Sequence, residues 1–389
     1  MKERVLLSKP FRIACITAIA VGVIAMTYGF IANPQRAWAN YLLNNFLFFS
    51  LAIGATFFLA LQAITQAGWS SGFRRVSEAM MMYLPFAGIL LLVLYFGLHY
   101  LYPWTHPDAA NNELIRHKSP YLNIPFFFIR IVLFFSIWIL LTRQIRKASL
   151  TEDETGGLGY FNKIEWLSKV FIFVLAVTFS LMAFDLLMSI DVKWFSTIYA
   201  LKNFIASFQH GAAAVFVIVF LLNRKGYFEF LNVSHVHDFA RYLFITSIFY
   251  GYFWFSQFML VWYGNLPEET IYYAKRWTTE WQPYWASDII LNWVVPFFVL
   301  LPVFTSRNKW IVFVVALLLI AGLWMDLYVE IFPGSVGHSH PGFIEIGSFI
   351  GFAGLFAYVT GYYLSKAALV PKNHPHIEES YQHSFESYI

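Results

Sequence analysis

Charge is in short supply in this chain of 389 residues. Asp, Glu, Lys and Arg together make 12% of it, about half their share in a soluble domain, and mean hydropathy is +0.59. A water-soluble globular protein is therefore excluded. Cysteine is scarcer still, with Cys15 alone. A single thiol excludes a disulfide within the chain and a cysteine-ligated iron–sulfur cluster. There are 11 histidines, but only His210 falls in the middle of an apolar run. His99 lies at the end of one, and the others lie in connections or in the tail. A b-type haem needs two axial ligands facing each other across helices, so neither bis-histidine haem nor a haem–copper centre is expected. His338-Ser339-His340 has no third ligand in view, and a loop pair of that kind is more often solvated than metal-bound. No metal is expected. Period-2 alternation is missing as well, which excludes a β-barrel, and no internal repeat is discernible.

What the chain does have is long apolar runs. Ten are near the roughly 20 residues that a spanning helix needs: 11–32, 40–66, 76–100, 122–143, 167–189, 199–223, 239–264, 286–305, 310–330 and 343–366. The expected fold is an all-α integral membrane protein with ten transmembrane helices. The start, MKERVLLSKPFR with Ala37-Trp38-Ala39 behind it, looks like a secretory signal, but its apolar stretch exceeds the usual core of about 7–15 residues and reads as a retained first span. Place both termini and the connections after even-numbered spans on one side. That side then holds 18 Lys and Arg and the other 7, with Arg130 inside a span. The positive-inside rule makes both termini cytoplasmic. The net charge of +4 follows from this bias and is no nucleic-acid footprint.

Three connections are longer than the rest. Those at 101–121 and 265–285 lie outside, and 144–166, with Glu152-Asp153-Glu154, lies inside. The outer two are rich in Trp, Tyr, Pro and Asn. They read either as the ordinary interfacial aromatic belt or as a docking surface for another subunit. The tail 371–389 is polar and dotted with histidine, and is expected along the cytoplasmic face or on a partner.

Depth follows from the topology. Asp185 lies in the outer third of the fifth span, with Asp191 just beyond its end. Lys202 lies near the outer surface of the sixth span and His210 near its middle. Ser207 and His210 fall within about 40° of Asn203 on a helix, with Lys202 and Gln209 on an adjoining strip. The eighth span enters through Asp288, with Asn292 one turn deeper. The ninth exits through Asp326 and Glu330, spaced i,i+4 on one face. The tenth enters through Glu345, and Arg130 lies about a third of the way into the fourth. Ionisable groups at such depths cost several kcal/mol and point to function. Carboxylates and a histidine lining the outer half suit a proton pathway: Asp185, Asp191, Lys202, His210, Arg130, Asp288, Asp326 and Glu330. Asp185 and His210 are the expected carriers, the latter able to change charge near neutral pH. No catalytic residue is expected. The other reading is a set of buried ion pairs, such as Arg130 with Asp185, that fix helix packing.

Three stretches carry a resemblance. DLLMSIDVKWFST (185–197), LNWVVPFFVLLP (291–302) and GLWMDLYVEIFP (322–333) resemble the smaller of the two large membrane subunits, the F subunit, of bacterial alternative complex III, a relative of the NrfD-like membrane subunits of polysulfide reductase. Length, span number and terminal topology agree over nearly the whole chain. The resemblance implies two four-helix bundles, spans two to five and six to nine, flanked by the first and last helices. The segments are then 1–39, 40–198, 199–330, 331–366 and the tail 367–389. It implies a cofactor-free subunit of an inner-membrane quinol:cytochrome c oxidoreductase. The implied partners are a larger sister subunit, iron–sulfur and multihaem cytochrome c subunits and, in some assemblies, a terminal oxidase. Haem c and iron–sulfur clusters would belong to those partners, and quinone contact stays open. Asp185, Asp191, Asp288, Asp326 and Glu330 match polar positions of these motifs, whereas His210 and Lys202 rest on the geometry of this sequence alone. The alternative is an independent secondary transporter. Such folds often carry inverted repeats, and none is evident here. A purely structural anchor is the third reading.

Overall fold

The computed structural model describes residues 4–384, and no strand occurs among them. Ten helices are long and apolar enough to cross a membrane: α1 Lys9–Ala32, α2 Pro34–Ile64, α3 Gly68–Phe96, α4 Ile124–Thr155, α5 Leu158–Leu186, α6 Thr197–Arg224, α7 Val233–Gly264, α8 Gln282–Leu300, α9 Lys309–Ser335 and α10 Phe343–Ser365. Their starts are set by local chemistry. Asn33, Asn123 and Asn308 each cap a helix, accepting from Arg36 N, Phe126 N and Trp310 N at 3.1, 3.0 and 3.0 Å. Asn33 and Ile124 are each followed by a proline in the first turn, where its missing N–H costs nothing.

Burial ranks the helices. The most apolar windows of α2 and α6 are 78% buried, against 22% for α8 and 28% for α1, so α2 and α6 form the centre. Spans α2–α5 pack on one another, as do α6–α9, and α2 and α6 join the two groups. The flanking pair α1 and α10 packs together and lies against α2. Two of these contacts need glycine. A Cβ on Gly54 would stand 1.8 Å from the Ser207 carbonyl oxygen, and one on Gly211 2.4 Å from the Gly54 backbone. Gly22 and Gly351 meet in the same way, at 2.4 Å. Small residues let membrane helices approach to backbone distance, where dispersion and polar contacts must replace the hydrophobic drive. An even number of spans leaves both chain ends at one end of the bundle, the terminal end. The longer connections 101–121 and 265–285 lie at the other, the loop end.

Two expectations need correction, and the tail takes the first of the two places expected for it. The segment 144–166 is not a loop: α4 runs on to Thr155, Gly156 and Gly157 turn the chain with φ of +66° and +79°, and α5 starts at Leu158. Hydropathy ends the apolar run near Arg143, but the helix continues into polar surroundings because α3 supplies its partners. Arg74 bonds Glu152 at 2.6 Å, and Arg75 pairs with Asp153. The connection 265–285 holds a helix, Pro267–Arg276. The tail rests on this chain itself over residues 371–384. Ser380 donates to the Trp69 carbonyl at 2.8 Å, and His383 meets Asp238 at 2.6 Å. Residues 385–389 of the expected tail, and 1–3 at the start, lie outside the described residues.

Candidate functional site

The polar face of α6 organises the site. Lys202, Asn203, Gln209 and His210 are all buried, and each meets α8 or α9. Lys202 Nζ bonds Glu330 Oε1 at 2.6 Å and pairs with Asp326 as well. The i,i+4 spacing of these two carboxylates brings both to one ammonium. Asn203 Nδ2 donates to the same Glu330 oxygen at 3.1 Å. Seven residues on from Lys202, Gln209 donates to the Asn292 carbonyl at 2.9 Å. His210 Nε2 meets Asn292 Oδ1 at 2.8 Å, and its Nδ1 faces the Ala206 carbonyl. Asn292 Nδ2 then donates to Asp288 Oδ1 at 2.7 Å, and the Tyr250 hydroxyl donates to that oxygen at 2.6 Å.

Asn292 reaches inward because α8 is locally underwound. Ile290–Val294 forms a π-turn, a feature that re-aims side chains and recurs at functional sites. Gly322 on α9 makes the room, since a Cβ there would stand 2.2 Å from Asn292 Oδ1.

No direct bond joins Asp288 to Asp326 or Glu330 among the described residues, but one small cavity touches all three. Its volume is ≈ 30 Å³, and Lys202, Gln257 and Arg276 also line it. One water needs about 10–15 Å³ of such space, so the cavity has room for about two. Asp326 Oδ2, Glu330 Oε2 and Gln257 Oε1 are buried and lack a well-aligned hydrogen bond, although the hydroxyls of Tyr250, Tyr199 and Tyr273 lie close to these three side chains. That is the chemistry a bridging water satisfies.

Toward the loop end the network passes to Arg276. This guanidinium donates to the backbone carbonyls of Val329 and Glu330 at 2.9 and 2.8 Å and to Asp191 Oδ2 at 3.0 Å. Lys275 holds Asp191 Oδ1 at 2.6 Å, with its side chain 42% exposed. The network thus reaches the surface at Lys275. Asp191 lies beyond the end of α5. Burial would raise its carboxyl, but the charges of Arg276 and Lys275 prevail and hold it below the usual carboxylate range. Tyr272 stacks on Trp194 with ring centroids 3.9 Å apart and carries Arg276 on its other side, 3.5 Å from the ring centre. This aromatic stack closes the loop end over the ions.

Six of the eight residues expected in a pathway fall in this one network: His210, Asp288, Lys202, Asp326, Glu330 and Asp191. The other two form a separate pair. Arg130 clasps Asp185 with Nε to Oδ2 at 2.6 Å and Nη2 to Oδ1 at 3.0 Å, and lies on the rings of Tyr121 and Phe126 at 3.9 and 4.3 Å. No hydrogen bond connects Asp185 with His210 among the described residues, so the expected step between them has no support in the geometry. Sequence reasoning missed Tyr250, Arg276 and Lys275. Tyr250 is one of 23 tyrosines and carries no mark of its own. Arg276 and Lys275 end an amphipathic helix inside a stretch that hydropathy marks only as a connection, and its acidic start at Glu268-Glu269 is the available signal.

At the terminal end Arg74, Arg75, Glu78, Ser149, Glu152 and Asp153 interlock α3 with α4. Each carboxylate there has an arginine, so this set reads as a lock between helices. No protein-family model and no curated protein matches this chain.

Proposed function

We propose that the chain is a cofactor-free membrane subunit of a bacterial quinol-oxidising respiratory complex, and that its α6–α9 bundle carries protons between mid-membrane and the periplasmic face. One observation supports the route above all: a single buried polar network runs from His210, midway along α6, through Asn292, Asp288 and the small cavity to Lys202, Asp326, Glu330 and Asp191. Protons move along such chains of protonatable groups and water. With both termini cytoplasmic, as the distribution of Lys and Arg argues, the loop end faces the periplasm and Asp191 marks the exit. Membership of a quinol-oxidising complex rests on the resemblance of the three motifs, which contribute Asp191 (185–197), Asn292 (291–302), and Asp326 and Glu330 (322–333) to the network. Both ring nitrogens of His210 are engaged in hydrogen bonds, which suits a proton carrier rather than an axial ligand.

The test is the subunit composition of the gently solubilised particle together with quinol-driven proton release. Haem and iron–sulfur proteins should copurify, and Asp288→Asn should leave the particle assembled while lowering proton release per quinol. A particle holding this chain alone would favour an independent transporter instead.

A further inference from the structure

Hydrogen bonding around His210 has a one-sided character. The ring is fully buried, and every polar atom that it meets is an acceptor. Nδ1 faces the Ala206 carbonyl, Nε2 faces Asn292 Oδ1, and the Leu319 carbonyl lies close as well. A neutral imidazole has one donor and one acceptor nitrogen, so in either tautomer one lone pair would point at another lone pair. Turning the Asn292 amide over does not relieve this. Its Nδ2 spends both protons, on Asp288 Oδ1 at 2.7 Å and on the Gly322 carbonyl at 3.0 Å. The turned amide would set its oxygen against the Gly322 carbonyl. Two acceptors thus fix Asn292, and Asn292 fixes what Nε2 must be.

We propose that Asn292 is a positioning residue that makes His210 the proton-holding end of the route: His210 rests as an imidazolium, with Nδ1–H on Ala206 O and Nε2–H on Asn292 Oδ1. The inference rests on the proton-route reading and names the group that stores the proton. Charge closes on the same answer. Lys202, Lys275, Arg276 and a protonated His210 make four cations, facing the four carboxylates Asp191, Asp288, Asp326 and Glu330. Burial and the like charge of Lys202 oppose a charged ring. The three acceptors favour it, and Asp288, reached through Asn292, is the carboxylate that would balance its charge. On discharge the Nε2 proton passes to Asn292 Oδ1 while an Nδ2 proton passes to the Asp288 carboxylate, and a proton shift from Oδ1 to Nδ2 restores the amide. The amide keeps its two protons, and no electron moves. A positive and a negative group become two neutral ones, so the pair remains balanced in either state.

The experiment is nitrogen-15 NMR of the histidine rings in the gently solubilised particle, in neutral buffer, with His210 assigned by its loss in His210→Gln. Wild type should show His210 with both nitrogens protonated. Asn292→Leu, which removes the acceptor, should give the neutral ring. Asn292→Asp, which keeps an acceptor at that place, should retain the imidazolium, and it serves where the leucine variant does not assemble. A neutral His210 in the wild type, or an imidazolium that persists in Asn292→Leu, overturns the inference. Proton release in His210→Gln separates this from the route itself. Undiminished release with a charged wild-type ring overturns the route and leaves the assignment standing; lost release with a neutral wild-type ring does the reverse.

Discussion

At the scale of the residue, Lys202 has the most lopsided surroundings. One ammonium, 5% exposed, faces Asp326 and Glu330 at contact distance, with Asp288 on the same cavity. Removing one member of a buried set leaves the others uncompensated, at a cost of about 3–5 kcal/mol. Lys202→Met should therefore lower thermal stability by about that much, and adding Glu330→Gln should recover part of the loss. Thermal unfolding of the single and double variants checks this, and equal stability of Lys202→Met and wild type would contradict it. Asp185→Asn should destabilise comparably, because it strips Arg130 of a bidentate partner, yet leave proton release per assembled particle unchanged. Asp191 adds a pH dependence. Its folded-state carboxyl titrates below the free value of about 3.9, so its clamp with Arg276 and Lys275 contributes fully above about pH 4 and is lost as the pH falls through the folded value. The stability gap between wild type and Asp191→Asn should be constant near neutrality and shrink in acid. Depth made these residues legible: an aspartate or lysine within an apolar run is visible without coordinates. Partnership was not, because it depends on which helices are neighbours. Asp185 and His210 lie on consecutive spans at related depths, yet one turns to Arg130 on α4 and the other to Asn292 on α8.

At the scale of the element, the ten spans could be read because about 20 apolar residues in a row have few other fates. Where helices continue in polar surroundings, the reading failed. The extension of α4 to Thr155 is held by arginines of α3, a tertiary cause that periodicity within α4 does not record. The π-turn of α8 was equally hidden, since Ile290–Val294 has nothing unusual in composition. The meeting of α2 and α6 is a matter of two glycines that no local pattern pairs. Gly211→Val places side-chain carbon where the Gly54 backbone stands, so the helices must part. The expected loss is at least about 1–3 kcal/mol of overpacking strain, with further loss at the α6 network, measured as a lower unfolding temperature in detergent. A variant as stable as wild type would show that α2 and α6 do not meet there.

At the scale of the whole molecule, the membrane architecture was legible and the sidedness is a reading of charge. It has a direct check. In a Cys15→Ser background, cysteines at Glu113 and Glu154, both exposed, should label oppositely with an impermeant thiol reagent, and only the first from the periplasm. Glu152, though in the same segment, is fully buried and would not report. Equal labelling would contradict the orientation and, with it, the direction of the route. The account stands most heavily on the claim that the network from His210 to Asp191 conducts protons while the Arg130–Asp185 pair does not. Quinol-driven acidification by the reconstituted particle, compared among wild type, Asp288→Asn and Asp185→Asn, tests it in one assay. The account predicts wild-type proton release per quinol in assembled Asp185→Asn and reduced release in assembled Asp288→Asn. Wild-type release in Asp288→Asn, or a selective loss in Asp185→Asn, would contradict it.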